Sequence, residues 1–229
     1  MNLPLVIGHR GAMGHETENT IASMLKALEL GVAMIEIDVF KIKSGEIVVF
    51  HDHTLERLTN GTGAIEKYTL EALNTLVVTG NHKIPLLTDV LNAIDNRVPV
   101  NIELKGANTA IKVVGIVLEY VKNNGWSLED FIFSSFDWEE LKIARKINSD
   151  IRIAILTEEN PIDAIPIAKQ LHAEAINPNF EKLSLEIANT IRKEGFKIYT
   201  WTVNDPKDIS QAKKWAVDGI ITNFPERVN

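Results

Sequence analysis

Residues 174–222 read EAINPNFEKLSLEIANTIRKEGFKIYTWTVNDPKDISQAKKWAVDGIIT, a segment in which short β-branched runs alternate with amphipathic segments of helical periodicity. Such an alternation is typical of a parallel sheet whose strands are joined by crossover helices. The elements predicted in this segment are strands at 174–177, 197–203 and 218–222 and helices at 185–194 and 208–215.

The same alternation continues towards the N-terminus and gives eight predicted strands in total. A chain of 229 residues with 45% apolar and 24% charged side chains has enough apolar material for one sizeable core. Eight β/α units in this length suit a compact (β/α)8 barrel. We therefore predict an α/β fold with a single TIM-barrel catalytic domain over residues 1–229. The remaining predicted strands are 5–9, 33–38, 98–105, 131–134 and 151–156, and the remaining helices are a first helix capped by Thr17 or Asn19, then 110–124, 138–147 and 163–171.

One connection is much longer than the others and follows the second predicted strand. About sixty residues separate Asp38 from the next clear barrel strand, whereas most connections are far shorter. The runs at 39–43 and 46–50 are joined by Ser44 and Gly45, with no room for a helical crossover. They therefore predict an antiparallel β-hairpin.

This hairpin would return His51 to the side of Asp38. The residues after it, 52–83, are predicted to form a small insertion over one mouth of the barrel. A short helix is expected near 69–76.

The composition excludes several classes of function. Acidic residues outnumber basic ones by 31 to 24, and a net charge of −7 argues against a broad surface for nucleic acid. No uncharged apolar run reaches the roughly 18 residues that a spanning helix needs, so we predict no membrane insertion. Because there is no cysteine, any metal must bind oxygen or imidazole. Met1 to Pro4 lead into a strand without the features of a signal peptide, so we expect a cytoplasmic protein.

Acidic side chains stand at the ends of two predicted strands. TIM-barrel active sites lie at the C-terminal ends of the strands. Because side chains alternate across a strand, Glu36 and Asp38 share one face, and the same parity groups Glu103 with Lys105. Carboxylates forced together inside a barrel are costly to ionise unless a cation lies between them. Glu36, Asp38 and Glu103 therefore predict a divalent metal site, and the oxygen ligands suit Mg²⁺ and Ca²⁺ alike.

A buried ion network is the alternative explanation for these acids. In that arrangement the carboxylates would pair with Arg10 and Lys105 and no metal would be required. We favour a metal ion together with the two cations.

Two histidines are predicted to flank the acids. His9 ends the first strand and His51 ends the hairpin, so the two imidazoles would approach the site from opposite sides. This arrangement suits a reaction in which one imidazole accepts a proton while the other donates one. His53, two residues after His51, is an alternative for the second position.

Eight short motifs spread over nearly the whole chain resemble those of the glycerophosphodiester phosphodiesterases. Their order along the chain makes the resemblance specific, whereas a His-Arg-Gly tripeptide alone would mean little. The motifs are Gly8-His9-Arg10-Gly11, Glu18-Asn19-Thr20, Glu36-Ile37-Asp38-Val39, His51-Asp52, Ile102-Glu103-Leu104-Lys105, Ser134-Ser135-Phe136, Trp201-Thr202-Val203-Asn204 and Asp218-Gly219-Ile220-Ile221-Thr222-Asn223.

The resemblance implies hydrolysis of a small-molecule glycerophosphodiester to sn-glycerol 3-phosphate and an alcohol. It also implies a role for each matching residue in this chain. His9 and His51 would be the acid/base pair, Glu36, Asp38 and Glu103 would bind the metal, and Arg10 and Lys105 would hold the phosphate.

Two aromatic residues are further candidates for substrate binding. Trp201 and Phe136 stand at strand ends, where an apolar platform would receive the glycerol carbons. Packing in the core explains them equally well.

Three positions depart from the pattern of the family. Thr17 and Ser44 stand where Pro and Asp are usual, and Asn223 replaces the usual Asp of the last motif. We expect these departures to alter loops and not chemistry.

Other functions fit parts of the pattern. A phosphatidylinositol-type phospholipase C shares the barrel and the paired histidines, but the sequence has no exposed apolar or basic amphipathic segment for membrane contact. A non-catalytic phosphate-binding barrel would not require both histidines and all three acids. A metal-dependent isomerase or aldolase would not require Arg10 beside His9. The headgroup preference, the oligomeric state, the roles of the two histidines and the nucleophile, water or a glycerol hydroxyl, are left open.

Overall fold

A closed ring of parallel strands forms the centre of the protein, in a computed structural model that describes residues 3–228. The strands are β1 Leu5–Gly8, β2 Met34–Lys41, β3 Ile47–Val49, β4 Val100–Leu104, β5 Phe131–Ser135, β6 Arg152–Thr157, β7 Ala175–Pro178, β8 Lys197–Thr200 and β9 Gly219–Thr222. Within the described range, the eight strands other than β3 pair in parallel with one another, and β1 pairs with both β2 and β9, so these eight strands close a barrel. The predicted TIM barrel is therefore confirmed, and each predicted barrel strand is present with ends shifted by at most three residues.

Helices surround the barrel and cover its outer face. One of them, α3, is absent from the predicted helices, although Leu87, Val90, Leu91 and Ile94 have the spacing of a buried helical face. Among the described residues, none of the helices has both the length and the apolar character needed to cross a membrane. The helices are α1 Ile21–Glu29, α2 Leu70–Asn74, α3 Leu87–Ile94, α4 Ala110–Asn123, α5 Trp138–Ile147, α6 Ile165–Gln170, α7 Leu185–Lys193 and α8 Pro206–Lys214.

The first helix begins later than the sequence predicts. Its N-cap is Thr20, whose hydroxyl accepts a hydrogen bond from the N–H of Ser23 at 3.2 Å, so the expectation of Thr17 or Asn19 is wrong. Asn19 has a left-handed backbone, with a φ of 56°, and its side-chain amide donates to Asp38 at 2.9 Å. The residue expected to cap a helix therefore belongs to the polar interior of the barrel.

Side-chain alternation divides β2 between two environments. Ile35 and Ile37 pack outward in the main core between the barrel and the helices. Glu36 and Asp38 are also buried, at 4% and 1% exposed, and their carboxylates meet inside the barrel. The predicted parity of the strand is therefore confirmed. An apolar layer within the barrel consists of Ile7, Met34, Ile132, Ala154, Ala175, Tyr199 and Ile221.

A β-hairpin extends from β2, as the sequence predicts. β2 and β3 pair antiparallel, with Val39 opposite Val49. The N–H of Phe50 donates to the carbonyl of Asp38 at 3.0 Å. His51 therefore follows directly at the carboxyl end of β2.

The segment after the hairpin shares a small core with the hairpin. The helix predicted near 69–76 is present as α2. We interpret residues 52–83 as an insertion in a single barrel domain over residues 1–229, of which residues 1, 2 and 229 lie outside the described range. The buried core of the insertion and hairpin consists of Phe40, Ile42, Val48, Phe50, Leu55, Ile65, Leu73, Val78 and Ile84.

Candidate active site

A cavity of about 250 Å³ opens at the carboxyl ends of the barrel strands. This is the end of a TIM barrel at which enzymes carry their active sites. Of the eight site residues predicted from the sequence, seven line the cavity, and the carboxylate of Asp38 lies close to four of the seven. The seven are His9, Arg10, Glu36, His51, Glu103, Lys105 and Trp201.

The loop after β1 has a constrained backbone. Arg10 has a φ of 51°, which turns its N–H towards Glu36, and this N–H donates to the carboxylate at 2.9 Å. Gly11 follows with a φ of 86°, and a Cβ at this position would lie 2.5 to 2.7 Å from atoms of Ser23. Only glycine therefore lets the loop pack against α1 while it presents Arg10 to the cavity.

Three carboxylates meet at the bottom of the cavity. The parallel register of β2 and β4 sets Asp38 opposite Glu103, and Glu36 lies two residues before Asp38 on the same face. One oxygen from each carboxylate lies within 4.8 Å of the other two. All three residues are at most 9% exposed. The predicted acidic cluster is therefore present.

Two cations and one amide surround these acids. Nε of Arg10 lies 3.3 Å from Oδ2 of Asp38. Nζ of Lys105 lies 3.1 Å from Oε1 of Glu103 and 3.7 Å from Oδ1 of Asp38, and Asn19 donates to Asp38 from the other side. The ion pairs of the alternative explanation are thus present as well. They hold the acids in place but supply two positive charges against three negative ones.

The electrostatics of the acidic cluster favour an additional cation. Burial raises the pKa of Glu36, and the nearby charges of Asp38 and Glu103 raise it further. Burial and Asp38 also raise the pKa of Glu103, although Lys105 opposes this change. A divalent ion between the carboxylates would offset both the burial of these charges and their mutual repulsion. An all-oxygen set of this kind fits Mg²⁺ or Ca²⁺.

His9 is oriented by a residue from the far end of the chain. Its Nδ1 lies 2.6 Å from Oδ1 of Asn223. An amide oxygen only accepts hydrogen bonds, so Nδ1 carries the proton and Nε2, 4.0 Å from Glu36, is left as an acceptor. Burial, assisted by the charge of Arg10, lowers the pKa of His9 to about 4. Asn223, expected from the sequence to alter only a loop, thus contacts the imidazole of His9 directly.

His51 has a different partner. Its Nδ1 lies 2.6 Å from Oδ1 of Asp52, and a carboxylate stabilises the protonated imidazole. Burial, together with the charges of Arg10 and Lys105, nevertheless lowers the pKa of His51, although Asp38 and Asp52 oppose this change. His53 lies away from the cavity wall, with its ring edge-on to Phe40 at a centroid distance of 5.1 Å.

One side of the cavity is apolar. The rings of Phe136 and Trp201 meet edge to face with centroids 5.5 Å apart, and Nε1 of Trp201 donates to the carbonyl of Asn177 at 2.8 Å. Phe136 is 42% exposed, which core packing does not explain. An exposed aromatic edge at this position suits contact with the carbon atoms of a ligand.

Two further cavity residues are not among the site residues predicted from the sequence. The side-chain oxygens of Asn101 and Ser134 are buried and have no hydrogen-bond partner among the described residues. Asn101 lies two residues before Glu103 on β4, so the alternation of side chains along the strand would have placed it on the same face, inside the barrel. These oxygens are available to a bound ligand or water.

The family model for the glycerophosphoryl diester phosphodiesterase family matches residues 9–227. A curated glycerophosphodiester phosphodiesterase of Caldanaerobacter subterraneus is 34% identical over 97% of this chain and 95% of its own length. Another, from Bacillus altitudinis, is 32% identical over 97% of this chain and 95% of its own length.

A solved structure has the same fold over almost the entire chain. It is that of a phosphodiesterase from Oleispira antarctica in complex with the product sn-glycerol-3-phosphate. The two chains are 26% identical and superpose with a TM-score of 0.90, covering 99% of this chain and 95% of the other.

Proposed function

Because the chain belongs to the glycerophosphoryl diester phosphodiesterase family and is an enzyme with that activity, we propose that it cleaves glycerophosphodiesters with a divalent metal ion and a pair of histidines. The products are sn-glycerol 3-phosphate and an alcohol. The Oleispira enzyme binds the first of these products, which supports the same product for this chain.

The observation that carries the proposal is the charge distribution around the acidic cluster. Glu36, Asp38 and Glu103 bring three negative charges, and Arg10 and Lys105 bring two positive ones. A divalent ion would change the net charge of this group from minus one to plus one. That charge complements a phosphodiester, which carries one negative charge and gains more on its phosphoryl oxygens in the transition state.

The residues that would hold the ion are the three acids. Mg²⁺ or Ca²⁺ bound there would stabilise negative charge on the phosphoryl group. Arg10 and Lys105 line the cavity beside the acids and would bind the phosphate oxygens. Because the guanidinium is planar, Arg10 would also orient the diester for attack.

We assign the two proton transfers from the partners of the imidazoles. His9 is neutral and has a free Nε2, so it would accept the proton of the nucleophile, either water or the adjacent hydroxyl of the glycerol. His51 would donate a proton to the leaving alkoxide, because Asp52 stabilises the imidazolium form that burial otherwise disfavours. Phe136 and Trp201 would contact the carbon atoms of the substrate.

The test is an assay on glycerophosphocholine with enzymatic detection of glycerol 3-phosphate. The protein is first treated with a chelator, and Mg²⁺ or Ca²⁺ is then restored in separate reactions. Product should form only after a metal is restored. Phosphatidylinositol vesicles, assayed in parallel, should give no soluble inositol phosphate. Release of inositol phosphate without glycerol 3-phosphate formation would instead establish the phospholipase C alternative.

A further inference from the structure

Arg57, in the insertion, connects two carboxylates that each hold a residue of the candidate active site. Its Nη1 and Nη2 donate to the two oxygens of Glu18, at 2.8 Å each. Its Nε and Nη2 donate to the two oxygens of Asp52, at 2.5 and 2.9 Å. Glu18 in turn accepts from Nη1 of Arg10 at 2.6 Å, and Asp52 contacts Nδ1 of His51 at 2.6 Å. One guanidinium therefore links the phosphate-binding side of the site to a proton-transfer group.

The burial of Glu18 makes a second cation necessary. Its side chain is 4% exposed, and a buried carboxylate needs close compensation of its charge. Arg10 gives only part of that compensation, because its Nε also faces Asp38 at 3.3 Å. Arg57 neutralises part of the negative charge of Glu18. More of the charge of Arg10 is then available to a phosphate.

The shape of the guanidinium suits this role. Its five N–H groups lie in one plane in a fixed fork, so it can hold two carboxylates in defined orientations at once. An ammonium group has no such geometry. We propose that Arg57 is a positioning residue of the phosphodiesterase, which aligns Arg10 and His51 with each other through Glu18 and Asp52.

This inference rests on the proposed function and extends the active site into the insertion. A purely structural role, in which Arg57 fastens the insertion to the barrel, is the competing explanation. The insertion has an apolar attachment of its own, since Leu55 and Ile65 are fully buried in one cluster with Phe40 of β2. Arg57 itself is half-exposed, with 46% of its side chain accessible. Its removal should therefore leave the insertion in place.

The first test compares Arg57→Gln with a matched control. Arg152 makes a similar two-point contact with Glu174, through Nε and through Nη2 at 2.8 Å. Arg152 begins β6, at the barrel end opposite the cavity, so Arg152→Gln removes the same kind of ion pair away from the site. We expect Arg57→Gln to lower kcat by about 10- to 100-fold and Arg152→Gln to change it by less than about twofold.

Two further variants separate positioning from loss of structure. Arg57→Lys keeps the charge but not the fork and should remain impaired, while added guanidinium at millimolar concentration should partly restore Arg57→Ala. Melting temperatures identify any variant that fails to fold. A folded Arg57→Gln protein with wild-type kcat would overturn the inference, and so would full activity of Arg57→Lys.

A second readout does not depend on turnover. Nitrogen-15 NMR of the histidine side chains, without metal, reports which ring nitrogen of His51 carries the proton. In the wild type, Nδ1 of His51 should be protonated, and in Arg57→Gln the two tautomers should be mixed. Calorimetric titration with inorganic phosphate should show weaker binding to Arg57→Gln than to Arg152→Gln. An unchanged His51 spectrum and unchanged phosphate affinity would overturn the inference, whereas an inactive wild type with these changes would overturn only the proposed function.

Discussion

Nδ1 of His9 and Oδ1 of Asn223 lie 2.6 Å apart, although 214 residues separate them in the chain. They meet where β1 pairs with β9, and the N–H of His9 also donates to the carbonyl of Thr222 at 2.9 Å. The backbone of Asn223 is held by the side chain of Asn204 at 2.8 Å. The closure of the barrel thus determines both the orientation and the tautomer of His9.

The substitution Asn223→Asp tests the role of His9. A carboxylate beside Nδ1 should raise the pKa of His9 above its value of about 4. Because His9 must be neutral to accept a proton, the acidic limb of kcat/KM should move to higher pH, by about one unit or more. The profile is measured between about pH 4 and 9 at saturating metal. An acidic limb that does not move would contradict the assignment of His9 as the base.

His9→Ala and His51→Ala should each abolish most of the activity without loss of metal binding. The loss of one proton transfer is expected to lower kcat by about 10²- to 10⁴-fold. His15→Ala is the matched control, because His15 pairs with Glu226 on the outside of the barrel rim and should leave kcat unchanged. Metal affinity is measured by calorimetry. Near-normal turnover in either variant would remove that histidine from the mechanism.

Stabilisation by the metal should depend on pH. Burial and the nearby charge of Asp38 raise the pKa values of Glu36 and Glu103 above their ordinary value of 4.5 in the metal-free chain. The folded state then binds more protons than the unfolded state, so these groups reduce the free energy of unfolding as pH rises above about 4.5. Mg²⁺ or Ca²⁺ should cancel this loss. The rise in Tm on adding metal, about 5–10 °C at saturation, should therefore be larger at neutral than at acid pH.

Calorimetry at several pH values, with metal or with chelator, provides the measurement. Glu103→Gln should reduce both the rise in Tm and its pH dependence. An equal rise in Tm at every pH would show that these two acids do not bind the ion.

Glu174 should contribute to stability against acid without affecting catalysis. Burial alone would raise its pKa, but hydrogen bonds from Arg152 and Lys197 outweigh this effect and lower it to about 2. This contribution is complete above the unfolded value of about 4.5 and is lost as pH falls towards 2. Glu174→Gln should lower the free energy of unfolding by about 1–3 kcal/mol at pH 7 and by much less near pH 2, as measured by urea denaturation. An equal loss of unfolding free energy at every pH in this range would show that the ionised carboxylate of Glu174 is not the source of the stability.

Phe136 is predicted to affect substrate binding more than turnover. Its exposed ring contacts Trp201 edge to face at the cavity mouth. Phe136→Ala should raise KM about 2- to 10-fold with little change in kcat, while Phe136→Leu should stay close to the wild type. Steady-state kinetics on glycerophosphocholine separate the two parameters. A large loss of kcat in Phe136→Ala would instead indicate a role in aligning the reacting groups.

Much of the fold could be predicted because its signals are local. Alternation along β2 and β4 assigned Glu36, Asp38 and Glu103 to the interior of the barrel, and strand length and helical spacing identified most elements. α3 is the exception, because it follows the insertion within the same long connection. Its own apolar positions would have identified it.

The partners of the site residues could not be predicted in the same way. No sequence pattern links Arg57 to Glu18, which lies 39 positions earlier. Asn19 is a residue type typical of helix N-caps, so the sequence does not indicate its contact with Asp38. These contacts depend on the path of the insertion and on left-handed residues in the loop after β1.

The amino-acid sequence by itself determined the barrel and the chemical groups at its carboxyl end, because periods of 2 and 3.6 residues depend only on neighbouring positions. Only the tertiary structure decided how those groups are held. Hydrogen bonds between His9 and Asn223 or between Arg57 and Glu18 form once the sheet closes and the insertion packs. Their energies depend on distances of a few tenths of an ångström, which no pattern of residue types along the chain contains.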